Sequence, residues 1–162
     1  MTDPNAMTID QVLTPQLDHA FDIRIEFTPD RGTYGPLPGG HKQGYTPTSG
    51  GRISGPLFSG QVVPFSGADF ATVRADGVVE VNSHYMIEAD DGTRIYINNR
   101  GFLVPGGGPV VNGTPQPRYF RFTPTFRVPE GPHGWMGSAV FLGLGVRQQN
   151  PDHSIFRYYL VR

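Results

Sequence analysis

Residues 78–100 read VVEVNSHYMIEADDGTRIYINNR. Val79, Val81, Ser83, Tyr85, Ile87 and Ala89 fall on one side of a period-two pattern. Glu80, Asn82, His84, Met86 and Glu88 fall on the other. Alternation of this kind marks a strand with one buried face. Asp90-Asp91-Gly92 then breaks the pattern and Thr93–Arg100 resumes it, which predicts a β-hairpin. Period alone does not say which face looks inward, and a one-residue slip in register inverts it.

The same period recurs on either side. His19, Phe21, Ile23, Ile25 and Phe27 alternate with Asp18, Ala20, Asp22, Arg24 and Glu26. Phe120, Phe122, Phe126 and Val128 alternate with Tyr119, Arg121, Thr123, Thr125 and Arg127. Shorter candidates cover 51–54, 57–63, 69–74, 135–147 and 154–161. With about nine short strands and no strong amphipathic helix, the chain is expected to be all-β. A single closed antiparallel β-barrel of about 8–9 strands is favoured over a sandwich, because consecutive hairpins allow a meander and closure removes exposed edges. Residues 28–49 and 105–117, dense in Gly and Pro, are expected to be long loops. Residues 1–16 are expected to form a weakly ordered tail with a helical turn near Thr8–Val12. Residues 17–162 are expected to form the barrel.

Composition narrows the function. The chain has 162 residues, 12% aromatic and 17% charged, with a net charge of −1. No strong field exists to attract nucleic acid or an anionic membrane. There is no cysteine, so disulfides and thiolate chemistry are excluded. No run of about 18 apolar residues is present to form a spanning helix. Met1–Thr14 lacks the basic run and apolar core of a signal peptide, so a cytoplasmic protein is expected. No phosphate-binding glycine loop, nucleophile elbow or close-spaced histidine motif occurs, so neither a cofactor nor a metal is expected.

A longer series of residues is more specific. Thr48-Ser49-Gly50-Gly51 is followed by Ser59-Gly60-Gln61-Val62-Val63-Pro64, then by Gly67-Ala68-Asp69-Phe70 and His84-Tyr85. The Asp90-Asp91-Gly92 hairpin, Asn99-Arg100-Gly101, Tyr119-Phe120-Arg121, Trp135 and Phe141-Leu142-Gly143-Leu144-Gly145 complete it. This order resembles the DUF3237 family, also labelled UPF0311, from roughly Leu17 to Arg162. The resemblance implies a small antiparallel barrel similar to calycin or allene-oxide-cyclase-like barrels, and no settled activity. Asn82, His84, Met136 and Gly137 depart from the family's usual residues.

Candidate site residues follow from barrel geometry and side-chain chemistry. Asp69 is read either as a turn-fixing carboxylate or as a general acid or base at the barrel mouth, its pKa raised by apolar neighbours. His84 is read either as solvent-facing or as a proton shuttle. Tyr96 and Arg100 would stabilise negative charge on a substrate oxygen. Arg52, Tyr85, Glu88, Asn98, Arg121 and Trp135 are the candidate substrate-binding residues, although a tryptophan at a barrel end is most often a core plug. The expected function is cofactor-independent proton-transfer chemistry (isomerisation, cyclisation or elimination) on a small ketone of polyketide, terpenoid or aromatic type. The alternative is a non-catalytic small-molecule binder. A third reading is an oligomeric module, a homodimer packed through an aromatic sheet face.

Overall fold

The computed structural model describes residues 6–162. The first five residues of the expected tail lie outside this range. Helix α1 (Ile9–Leu13) follows, closed by a capping box in which Thr8 and Gln11 exchange side-chain and backbone hydrogen bonds at 2.8 and 3.2 Å. It buries none of its residues.

The described residues form eleven strands: β1 (Leu17–Phe27), β2 (Gly32–Tyr34), β3 (Lys42–Ser54), β4 (Gly60–Val62), β5 (Ala68–Asp69), β6 (Thr72–Val73), β7 (Val79–Ala89), β8 (Arg94–Val111), β9 (Thr114–Arg127), β10 (Phe141–Gln148) and β11 (His153–Val161). Each pairs antiparallel with its neighbours in the meander β3, β4, β7, β8, β9, β10, β11, β1. Pairing of β1 with β3, from Asp22 opposite Ser54 to Phe27 opposite Thr48, closes the ring. The molecule is a closed eight-stranded antiparallel barrel. The short strands β4, β5 and β6 share one stave between β3 and β7, and β2 is added beside β3.

Both expected long loops are corrected. Half of 28–49 is β2 and the first part of β3, with Gly32–Tyr34 paired to Gln43–Tyr45. Residues 105–117 extend the β8–β9 hairpin, with register shifts between Val104, Gly107 and Val110. Such bulges absorb the Gly and Pro residues that otherwise read as loop. A bulge between His19 and Phe21 in β1 likewise puts both Ala20 and Phe21 inside. His19 meets Asp22 on the outer face at 3.0 Å.

The two ends of the barrel differ. At one end Phe21 packs on Phe58, Phe126, Phe141 and Tyr158 with ring centroids 4.7–6.4 Å apart. Met136, on the 3-10 turn Gly134–Ser138, and Trp135 seal it. The other end is not filled. Running from the filled end toward it, the inward face of β10 reads Phe141, Gly143, Gly145, Arg147. A Cβ at Gly143 would strike the Phe122 ring, and one at Gly145 the Phe120 ring. The two glycines thus let both rings lie across the barrel wall opposite them.

Candidate functional site

A cavity of about 370 Å³ occupies the unfilled end, within the size range of small-molecule sites. Its walls are mainly apolar, from Ile25, Phe27, Val81, Leu103, Phe120, Phe122 and Phe156. Polar groups enter at a few points.

Asp69 reaches the wall through a local device. A Cβ on Gly67 would collide with the backbone of His84 and Tyr85, so glycine lets the chain run close against β7. Ala68 takes the next buried position and Asp69 lines the cavity. Its Oδ1 accepts the Asn82 backbone N–H at 3.0 Å. Burial raises the Asp69 pKa from 3.8 to about 6, with the Asn82 N–H acting in the opposite direction. The carboxylate thus bonds the facing strand β7 rather than its own turn.

Tyr85 and Asn99 form the deeper part of the lumen, 1% and 2% exposed. The Tyr158 hydroxyl donates to Asn99 Oδ1 at 3.2 Å. That leaves Asn99 Nδ2 without a partner. The Tyr85 hydroxyl lies beside Tyr158 and Asn99 but makes no well-oriented hydrogen bond to either. Burial pushes the Tyr85 pKa up to about 12 and that of Tyr158 well above its usual value. Both phenols therefore remain neutral O–H donors at ordinary pH. Unpartnered buried donors are costly, and these two belong to residues on the cavity wall.

Of the residues expected from sequence, Asp69 and Tyr85 meet on the cavity wall. A joint site of Asp69 with His84, Tyr96 and Arg100 does not form, because strand parity points the other three outward. His84 stacks outside between Phe70 and Tyr96 at centroid distances of 5.2 and 6.0 Å. Tyr96 lies 5.2 Å beneath the Arg127 guanidinium. Arg100 donates to Asn82 Oδ1 at 3.3 Å and is exposed. Glu88 binds Arg94 and Gln61 at 3.0 and 3.1 Å, and Arg121 covers the Tyr119 ring. Arg52 is exposed, and Asn98 shares the outward parity of Tyr96. Trp135 packs on Phe141 at the filled end, away from the cavity.

Sequence reasoning passed over Ser83, Asn99, Tyr158, Arg31 and Arg147. Ser83 and Asn99 carried a readable signal, since each is a polar residue interrupting an otherwise apolar face. Arg31 carried none, because its approach to the lumen depends on the fold of the β1–β2 turn. Among the described residues no group of three or more His, Asp or Glu side chains is placed to hold a metal ion. Nor, among the described residues, is any helix long and apolar enough to cross a membrane.

Comparison with known proteins agrees with the barrel fold. A UPF0311 protein of Clostridium acetobutylicum is 34% identical over 123 residues, spanning 71% of this chain and 75% of that protein. The crystal structure of a conserved protein of unknown function from Rhodopseudomonas palustris matches with a TM-score of 0.78 and 28% identity, over 92% of this chain and 99% of that one. An enzyme from Penicillium herquei shares the fold at a TM-score of 0.69 and 19% identity, over 91% of this chain and 95% of that one. A hydroalkoxylation enzyme of the same organism is 39% identical over 49 residues, 30% of this chain and 32% of that protein. The family model described as a protein of unknown function, DUF3237, matches residues 15–161. With a match over that length and relatives that share the barrel, the chain belongs to the DUF3237 family.

Proposed function

We propose that the barrel is a cofactor-independent enzyme that moves a proton within a small organic molecule held in the lumen. One observation carries this reading. A carboxyl group with a pKa near 6, Asp69, lines a mainly apolar cavity together with Tyr85 and Asn99, each of which carries a buried donor that lacks a partner. A base and an oxyanion-stabilising pair on one void are the elements that enolisation, cyclisation or elimination needs.

In this scheme the Asp69 carboxylate removes a proton from a carbon next to a carbonyl, or from a hydroxyl. The Tyr85 O–H and the Asn99 Nδ2–H hydrogen-bond the oxygen on which charge develops. Asp69 then returns the proton elsewhere on the same molecule, so the step is neutral in electrons and atoms. Addition of an O–H group across a C=C bond, the chemistry named for the Penicillium relative, is of this proton-relocating class. The candidate substrates are ketones of polyketide, terpenoid or aromatic type, suited to a lumen walled by phenylalanines.

The test uses 2-tetralone, a bicyclic ketone with acidic α-protons, in deuterated buffer. The wild type should accelerate deuterium uptake at the α-carbons, with a rate that rises through about pH 6 and then levels, because the ionised Asp69 is the active form. Asp69→Asn should lose about 10²-fold or more of that rate, the scale of a general base. His84→Ala, on the outer face, should leave the rate unchanged. Binding of the ketone without exchange, equal in wild type and Asp69→Asn, would favour the carrier reading. That alternative draws on the predominantly apolar wall.

A further inference from the structure

The cavity mouth carries a charge cluster that the proton-transfer scheme does not use. Arg31, in the β1–β2 turn, and Arg147, near the end of β10, both line the cavity. Arg147 Nη2 donates to Asp152 Oδ1 at 2.7 Å, and Arg31 Nη2 donates to the other oxygen of the same carboxylate. The two guanidiniums lie over the Phe27 ring, 5.5 and 5.1 Å from its centroid. Arg147 Nη1 donates to Ser154 at 3.0 Å. Gln116 brackets the Arg147 backbone, accepting its N–H at 2.8 Å and donating to its carbonyl at 2.7 Å.

Two features set this cluster apart from a structural clamp on the surface. Two guanidiniums share a single carboxylate, so one positive charge is left over beside a mainly apolar lumen. Among the described residues the Arg31 side chain has Asp152 as its one hydrogen-bond acceptor, so most of its five N–H donors are unused. Burial, with the repulsion of Arg31, also lowers the Arg147 pKa against the attraction of Asp152. A planar anionic group fits this fork better than a second solvent-facing acid does, since guanidinium matches carboxylate geometry bidentately.

We propose that Arg31 and Arg147 form the anion-recognition subsite of the lumen, and that the ligand carries a carboxylate or an acidic phenolate on a flat apolar body. This rests on reading the lumen as a small-molecule site. The anion sits at the mouth, in the place where Asp152 now neutralises the pair. The apolar body lies along Phe120, Phe122 and Phe156, which directs the far end of the ligand toward Tyr85 and Asn99. Asp152 acts as the internal competitor that holds the fork together when no ligand is bound.

Calorimetric titration at low salt and neutral pH tests this with four probes on one ring frame. These are 1-naphthoate, its neutral isostere 1-naphthamide, 2,4-dinitro-1-naphtholate, and the neutral methyl ether of that phenol. The wild type should bind at least one anion about tenfold or more tightly than its neutral partner, by analogy with other charge-assisted pairs. The preferred anion identifies the ligand's acidic group. Arg31→Gln and Arg147→Gln should each cut the preference several-fold. Asp152→Asn should strengthen anion binding and leave the neutral probes unchanged. Arg94→Gln, exposed and paired with Glu88 on the outer face, should have no effect.

Equal binding of charged and neutral probes by the wild type would overturn the proposal. So would failure to bind either anion, or a preference that survives loss of both arginines. If Arg147→Gln does not fold, Arg31→Gln reads the same quantity. The result is separable from the catalytic reading. Asp69→Asn with its anion preference intact but its deuterium exchange unimpaired would sink only the assignment of Asp69 as base. Exchange lost in Asp69→Asn with no anion preference in the wild type would sink only the subsite.

Discussion

Asp69 bears a free-energy cost that its position explains. Its native pKa of about 6 lies above the value of 3.8 for an unburied group, with burial as the main cause. The native state therefore holds the proton more tightly than the unfolded chain does between those values. The stabilising contribution is complete below the unfolded pKa and is lost as pH rises through about 6. Asp69→Asn keeps an oxygen for the Asn82 N–H and cannot ionise. It should melt above the wild type at about pH 8, by at most roughly 3 kcal/mol for a shift of about two units, and the gap should close as pH falls below 6. Scanning calorimetry over that pH range checks it; a gap independent of pH would show that burial of the charge is not the cause. Asp69 was legible because glycine, alanine and a carboxylate in series stand out at a strand start. Asn99 was masked by its neighbour Arg100, whose charge drew the functional reading one residue too far.

Strand β10 shows how an element acquires meaning from its partner. Gly143-Leu144-Gly145 in sequence is a glycine cluster in a β context, with nothing to say why a strand should forgo side chains there. Pairing of Gly143 with Phe122 across β9 supplies the reason. The ring fills the space a Cβ would take, and the inward face of β10 stays shallow enough to leave a lumen. Gly143→Ala should push the Phe122 ring into the cavity. The expected cost is about 1–3 kcal/mol, the range for an overpacked core, with binding of 1-naphthoate or 2-tetralone weakened several-fold. Urea unfolding and calorimetry would read both; unchanged affinity would mean that Phe122 does not shape the lumen. The β8–β9 hairpin shows the converse. Pro105, Pro109, Pro115 and Pro117 read as breakers, yet both strands continue through them with two register shifts. A hairpin that projects past the barrel has fewer ladder partners to satisfy, so proline is tolerated there.

Closure through β1 and β3 gives the molecule two unlike ends, and its stability should be distributed accordingly. Amides of Ile23, Ile87, Ile95 and Ile97, fully buried in the packed part of the barrel, should exchange slowest with deuterated solvent. Those of Gly106 and Gly107, exposed and left-handed with φ of 72° and 71°, should exchange within the fastest class. Mass-spectrometric exchange on peptides from β7, β8 and the hairpin tip would test this, and uniform protection would contradict it. The sequence by itself determined the all-β class, the meander of strands and their alternating faces, because period-two burial is a local property written into each strand. It also marked Asp69 and Tyr85. Tertiary structure alone decided which face is the lumen, since that depends on closure and on a bulge at Ala20. It decided which end is filled, because Phe21, Phe58, Phe126, Phe141 and Met136 converge from five separate segments at one end. At the other end Gly143, Gly145, Ala68 and Ser83 leave room. And it brought Arg31 to Asp152, 121 positions away, with Arg31 and Arg147 both over Phe27, a meeting that no local pattern encodes.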